Sequence, residues 1–247
     1  MSRRARLLLF AASGAGLVTL IVTAYLGLPA FGRISHPYGA RAISAAVVDK
    51  GTANVVASVT FDQRGFDTLG EEFILFTSVL GALLLLRPSA EETKRARNAP
   101  QGRVLDSTRL VAHLLLPLTL LIGVYVVAHG NVTPGGGFQG GVILATALHL
   151  LYLGGDYATL RRFTPRAVFD VVESVGAAGY LVLGLAGLIA GGAFLDNVLP
   201  RGTFGQLTSA GTVPLLNVAV GMEVFAGIVL LLARFFEQDL ELRGGDR

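Results

Sequence analysis

The chain has 247 residues, 52% of them hydrophobic and 15% charged, where soluble domains carry about a quarter charged. With a mean hydropathy of +0.62, this composition excludes a water-soluble globular domain and predicts a membrane protein. The formal net charge is +3 and cysteine is absent, which removes thiolate-held iron–sulfur clusters, cysteine-ligated zinc and disulfides within the chain.

A helix needs about 20 apolar residues to cross the hydrocarbon core. Six stretches qualify: Leu7–Leu28, Leu69–Leu86, Thr108–Ala128, Gly137–Leu153, Ala167–Phe194 and Val213–Phe235. They predict an all-α membrane protein of about six transmembrane helices. The first follows Arg3, Arg4 and Arg6, yet it is too long for a signal h-region and no small-residue cleavage site follows it, so it is expected to stay as an anchor. The connection Pro29–Asp67 contains a moderately apolar stretch, Ala45–Phe61, interrupted by Asp49, Lys50 and Asn54. The expectation is a helix lying at the outer face. A crossing by Val47–Phe61 would make seven spans and flip one terminus. After the second span, Ser89–Gly102 is charged and ends in Pro-Gln-Gly, the composition of an exposed linker. The chain therefore divides into a two-helix segment over 1–88, a cytoplasmic linker over 89–105 and a four-helix domain over 106–247.

Basic residues orient the spans. Arg3, Arg4, Arg6, Arg87, Lys94, Arg95, Arg97, Arg103, Arg109, Arg161, Arg162, Arg166, Arg234, Arg243 and Arg247 fall on one side, fifteen of the twenty Lys and Arg. Arg33, Arg41, Lys50, Arg64 and Arg201 fall on the other. The positive-inside rule places both termini in the cytoplasm of a multi-pass protein of the cell membrane.

Ionisable groups inside the bilayer are the best functional pointers in such a chain. Glu223 sits near the middle of the last span, where a charge costs on the order of 2.5–3.5 kcal/mol on insertion scales. It must be protonated, paired or facing a wet cavity. An ion-carrying role and a purely architectural one stand level. His113 and His149 fall in the third and fourth spans, and histidine passes protons near neutral pH. A lone membrane histidine more often bonds a neighbouring helix. Asp170 and Glu173 open the fifth span three residues apart, where the helix dipole already favours acids. Before the second span, Thr68-x-x-Glu71 matches a capping box. Asp67 and Glu71 are also spaced i, i+4, with Asp62, Glu72 and Arg64 close by, so four acids and one arginine make the segment a candidate cation port. Pro117 interrupts the third span and is expected to bend it.

The run His129–Gly141 is a glycine-rich turn leading into the fourth span. Its pairs Gly136/Gly140 and Gly137/Gly141 make a flat stripe where another helix can approach closely. Gly135-Gly136-Gly137 lacks the lysine of a phosphate-binding loop. No third ligand joins the two histidines as a metal site. No Ser/His/Asp arrangement and no flavin or nicotinamide fingerprint is present. The expectation is therefore no catalytic residue, no enzyme activity, no metal, no cofactor and no nucleic-acid partner.

The segment His129–Gly141 (HGNVTPGGGFQGG) resembles the signature of the B subunit of Mrp-type multisubunit sodium/proton antiporters, the MnhB family, and the likeness runs through about Asp106–Phe236, including Asn217–Val224 (NVAVGMEV). Asn54–Glu71 (NVVASVTFDQRGFDTLGE) is similar to a C-terminal segment of the large A subunit, which also occurs in the matching MbhE-like small subunit of membrane-bound hydrogenases. The resemblance implies a fusion of these two pieces. It also implies a non-catalytic membrane subunit working with A, C, D, F and G type subunits, lipid, Na+ and H+. A purely structural scaffold, or the equivalent subunit of a sodium-translocating hydrogenase, stays open as an alternative. The family's large pumping subunits carry a lysine inside their helices, and this chain has none in any predicted span.

Overall fold

The structure, a computed structural model, describes residues 3–28, 38–87, 104–155, 160 and 162–245. Nearly all of the expected linker 89–105 lies outside the described residues, as do Arg33, Lys94, Arg95, Arg97, Arg103, Arg161 and Arg247.

The described elements are all helical: α1 (Arg3–Leu26), α2 (Tyr38–Ser44), α3 (Val55–Ser58), α4 (Gly65–Leu85), α5 (Asp106–Ala128), α6 (Gly137–Gly154), α7 (Arg166–Gly191) and α8 (Val213–Gly245). Six of them, α1 and α4 to α8, are long and apolar enough to cross a membrane. The chain forms two compact units, residues 1–41 and 42–247. In the first, the hydroxyls of Thr19 and Thr23 donate back to Ala15 O at 2.8 Å and Thr19 O at 2.9 Å. That leaves α1 with no unmet polar group at those positions, as a lipid environment requires.

In the second unit α8 is the central rod. Helices α6 and α7 pack on it, α5 packs on α6, and α4 rests on α8 and α7. Glycine explains the close approach. A Cβ on Gly141 would lie 2.9 Å from both the Gly221 carbonyl oxygen and Val224 Cβ, and one on Gly140 would lie 2.9 Å from Val127 N. Gly137 and Gly141 thus face α8, while Gly140 faces α5. Gly136 precedes the helix at φ 143° beside Asn217 Oδ1. Both grooves of the glycine stripe are filled by helices of this chain, not by a neighbouring subunit. On α7 the buried positions Phe169, Glu173, Gly176, Tyr180, Gly184 and Gly187 recur every three or four residues, forming the stripe that meets α8.

Two expectations need correction. Ala45–Phe61 is not one helix at the outer face. A π-helical turn over Ala45–Asp49, a break at Gly51 (φ 65°), α3 and a second π-helical turn over Val59–Gln63 replace it. The polar residue Asn54 caps α3, accepting from Val56 N at 3.1 Å and Ala57 N at 3.4 Å. Its Nδ2 donates to Gly130 O at 2.7 Å and Thr133 O at 2.8 Å, which ties the segment to the glycine turn and turns it inward. Ala57 and Phe61 then join the core with Tyr180, Leu216 and Val220. The capping box is also absent: α4 starts at Gly65, and Thr68 Oγ1 donates to Thr60 O at 2.7 Å. The helix α5 is continuous across Pro117.

Candidate functional site

Each of three helices contributes one acid to the interior of the second unit. Glu72 on α4 is 3% exposed, Glu173 on α7 is 7% exposed and Glu223 on α8 is 1% exposed. Their seats are cut by glycine. The backbone and Cβ of Glu223 lie against Gly176 of α7, where an added Cβ would be 2.6 Å from Glu223 N. The Glu173 carboxyl lies over Gly227 of α8, 3.0 Å from where a Cβ would stand. Glu72 shares the inner face of α4 with Thr68, Val79 and Leu83. The Glu223 carboxyl is the electrostatic neighbour of both Glu72 and Glu173.

None of the three is neutralised by a base. Glu72 Oε2, Glu173 Oε1 and both carboxyl oxygens of Glu223 are buried with no hydrogen-bond partner outside this group of acids, Glu72 and Glu223 being in mutual hydrogen-bonding reach. Unpaired buried carboxylates are expensive, and two or three in mutual reach more so. A proton or a cation must sit among them. Among the described residues no three or more His, Cys, Asp or Glu side chains converge tightly enough to hold a metal ion. The three acids lie at different depths along the bundle. By helical rise, Glu72 lies about 10 Å below the glycine-turn end, Glu223 about 15 Å below it, and Glu173 about 10 Å from the opposite end.

The other expected positions are placed differently. Asp62 is held by Lys50 Nζ at 2.9 Å and Asn197 Nδ2 at 3.2 Å, so it is a partnered structural acid. Asp67 is exposed and paired with Arg64. Glu71 is exposed while its neighbour Glu72 is buried, so the four acids of this segment do not all face one way. Asp170 is exposed and 3.7 Å from Arg166, apart from buried Glu173. His113 is exposed, with Nδ1 2.7 Å from Arg109 O on its own helix. His149 is half-buried, its Nε2 has no partner, and its ring meets Phe236 edge-on at 6.1 Å. Glu72 is one of the four acids of the expected port, but the sequence does not single it out. Its burial on the same face as Thr68 is the signal that α4's apolar flanks conceal.

At the glycine-turn end, buried asparagines hold the frame. Asn217 Oδ1 accepts from Gly137 N at 2.8 Å, and Asn131 Nδ2 donates to Ser209 O at 3.0 Å. Beside them lies a cavity of about 270 Å³ whose lining includes Thr60, Thr68, Glu71, Glu72, Gly136 and Gln139.

A bundle of long apolar helices with three buried acids in its interior defines a multi-pass membrane protein. Residues 107–230 match the family described as "Domain related to MnhB subunit of Na+/H+ antiporter". An uncharacterized protein of Methanocaldococcus jannaschii is 33% identical over 195 residues, covering 71% of this chain and 74% of that one. A chain of the membrane-bound sulfane sulfur reductase, an archaeal respiratory membrane complex, matches with TM-score 0.70 and 28% identity over 92% of this chain and 98% of its own. A chain of the Mrp complex from Dietzia sp. DQ12-45-1b matches with TM-score 0.68 and 25% identity over 96% of this chain and 26% of its own. The chain belongs to the MnhB family, as a membrane subunit of the multisubunit Na+/H+ antiporter kind.

Proposed function

We propose that this subunit carries part of the ion path of a cation/proton antiporter, with Glu72, Glu223 and Glu173 as successive steps. The observation behind this reading is Glu223, 1% exposed, set between two further acids and within hydrogen-bonding reach of one of them, Glu72. A carboxyl in that position exchanges one positive charge for another at little net cost. A proton leaving lets a cation take its place, and the reverse, which is the elementary requirement of antiport. An architectural acid would instead be expected to be neutralised by a base, as Asp62 is by Lys50.

The match to the family begins at residue 107, which supports reading 106–247 as the B-type domain and 1–88 as a fused A-type segment. The basic-residue bias supports termini in the cytoplasm, and the working complex includes A, C, D, F and G type partners. A second reading, the equivalent subunit of a respiratory membrane complex, is favoured by the 98% coverage of the sulfane sulfur reductase chain. Identifying the subunits that co-purify separates the two.

The test is sodium-driven proton movement in vesicles holding the purified complex. Glu223→Gln preserves size and removes the exchangeable charge. Assembly at the normal level with exchange lost supports the reading; normal exchange by the variant overturns it.

A further inference from the structure

The cavity of about 270 Å³ at the glycine-turn end has a chemistry that the line of acids alone does not explain. It opens between α3 with its π-helical turn, the start of α4, the turn Gly135–Gly136 and α8. Among its lining residues the only ionisable groups are Glu71 and Glu72, and no base is present. The nearby cation Lys50 is committed to Asp62 at 2.9 Å. Glu71 is exposed, while Glu72 is 3% exposed and its Oε2 has no partner. The remaining polar lining is oxygen: the hydroxyls of Thr60 and Thr68 donate to backbone carbonyls, leaving lone pairs free, and Gln139 adds an amide. No nitrogen or sulfur ligand of the kind that selects transition metals is present. At ~30 Å³ per water, the space holds several waters together with an ion. Gly135 (φ 125°) and Gly136 (φ 143°) let the turn form the wall without side chains that would fill it.

We propose that this cavity is a loading vestibule for a hard monovalent cation, which keeps part of its hydration and takes Glu72 as its anionic ligand. Acid without base favours cations over anions. Oxygen ligands favour a hard ion. One buried carboxylate balances a single charge. Glu71 at the exposed rim raises the local cation concentration, and Glu72 is both the floor of the vestibule and the first of the three buried acids. The inference rests on the ion-path reading for what happens beyond Glu72, but binding at the vestibule is separable from exchange.

The natural absence of cysteine makes the test direct. In the purified complex in vesicles, Gln139→Cys and, as a second site, Val56→Cys are exposed to a membrane-impermeant methanethiosulfonate. The expected result is labelling from the glycine-turn side only. NaCl at ten times the dissociation constant slows labelling about tenfold relative to choline chloride, because the free fraction falls to about a tenth. Adding Glu72→Gln abolishes this protection, whereas adding Glu223→Gln leaves it intact while exchange is lost. Labelling rates unaffected by sodium at both positions overturn the vestibule. If that happens while Glu223→Gln still abolishes exchange, the ion-path reading stands alone. Protection that survives Glu72→Gln equally overturns the role given to that side chain.

Discussion

At the scale of single residues, adjacent acids divide into opposite roles. Glu71 and Glu72 are neighbours in sequence, yet one looks outward and the other is 3% exposed. The sequence marked the pair but not which member faces inward. In GFDTLGEEFILFTSVLGALLL apolar residues surround the helix, so no stripe reports its rotation. The same ambiguity joined Asp170 to Glu173, which the structure separates. Glu223 was legible because nothing else in its span competes with it. These assignments make a paired prediction: Glu72→Gln lowers exchange in vesicles more than about tenfold, and Glu71→Gln lowers it only a few-fold. Similar loss in both variants contradicts the division. Asp62 belongs to the frame. Asp62→Ala strands Lys50, and because that lysine is partly exposed the cost is about 1–3 kcal/mol, below that of a fully buried pair. A lower melting temperature of the complex, with exchange per folded complex unchanged, is the expected outcome.

At the scale of elements, glycine and asparagine decide which helices meet. The glycine-rich turn was visible in the sequence, but its partners were not. Small residues mark a site of close approach without saying whether the visitor comes from the same chain. Here α5 and α8 take both grooves. On α7 the contrast between Gly176 and Gly179 tests this account. A Cβ at Gly176 would stand 2.6 Å from the Ala219 carbonyl oxygen, whereas one at Gly179 would make ordinary contact, 3.6 Å from Ala219 Cβ. Gly176→Leu is expected to cost about 1–3 kcal/mol or more through overpacking and to reduce recovery of the complex, while Gly179→Ala is tolerated. Equal thermal stability of the two variants counts against the α7–α8 contact. Asn54 is the matching polar case. The sequence suggested an interrupted surface helix, because Asn54 looked like a defect in an apolar run. It is the cap of α3 and the donor to two carbonyls of the glycine turn. Asn54→Ala loses the cap, about 1 kcal/mol, and leaves buried carbonyls unmet at ~1–3 kcal/mol more. The melting temperature of the complex should fall accordingly.

At the scale of the whole molecule, six apolar rods and the charge bias between them were readable from composition and spacing alone. What was hidden is that α8 stands at the centre with acids reaching it from α4 and α7, a convergence of segments far apart in the sequence, as Glu72, Glu173 and Glu223 are. The basic residues support an orientation with both termini in the cytoplasm, and that reading is open to a simple check. A cysteine introduced by Gln206→Cys at the glycine-turn end should label from outside intact cells, and one introduced by Phe163→Cys at the opposite end only after permeabilisation. The reverse pattern would invert the sidedness of the vestibule without breaking the line of acids.

The account stands on a proton and a cation competing for the same buried carboxyls. Carbodiimide modification of the intact complex, read by peptide mass spectrometry, addresses this directly, since the reagent attacks protonated carboxyls in apolar surroundings. Glu223 should be modified, sodium should slow that modification, and exchange should fall in proportion to it. Modification of Glu223 at a rate indifferent to sodium, in a complex that still exchanges ions at full speed, would contradict the account.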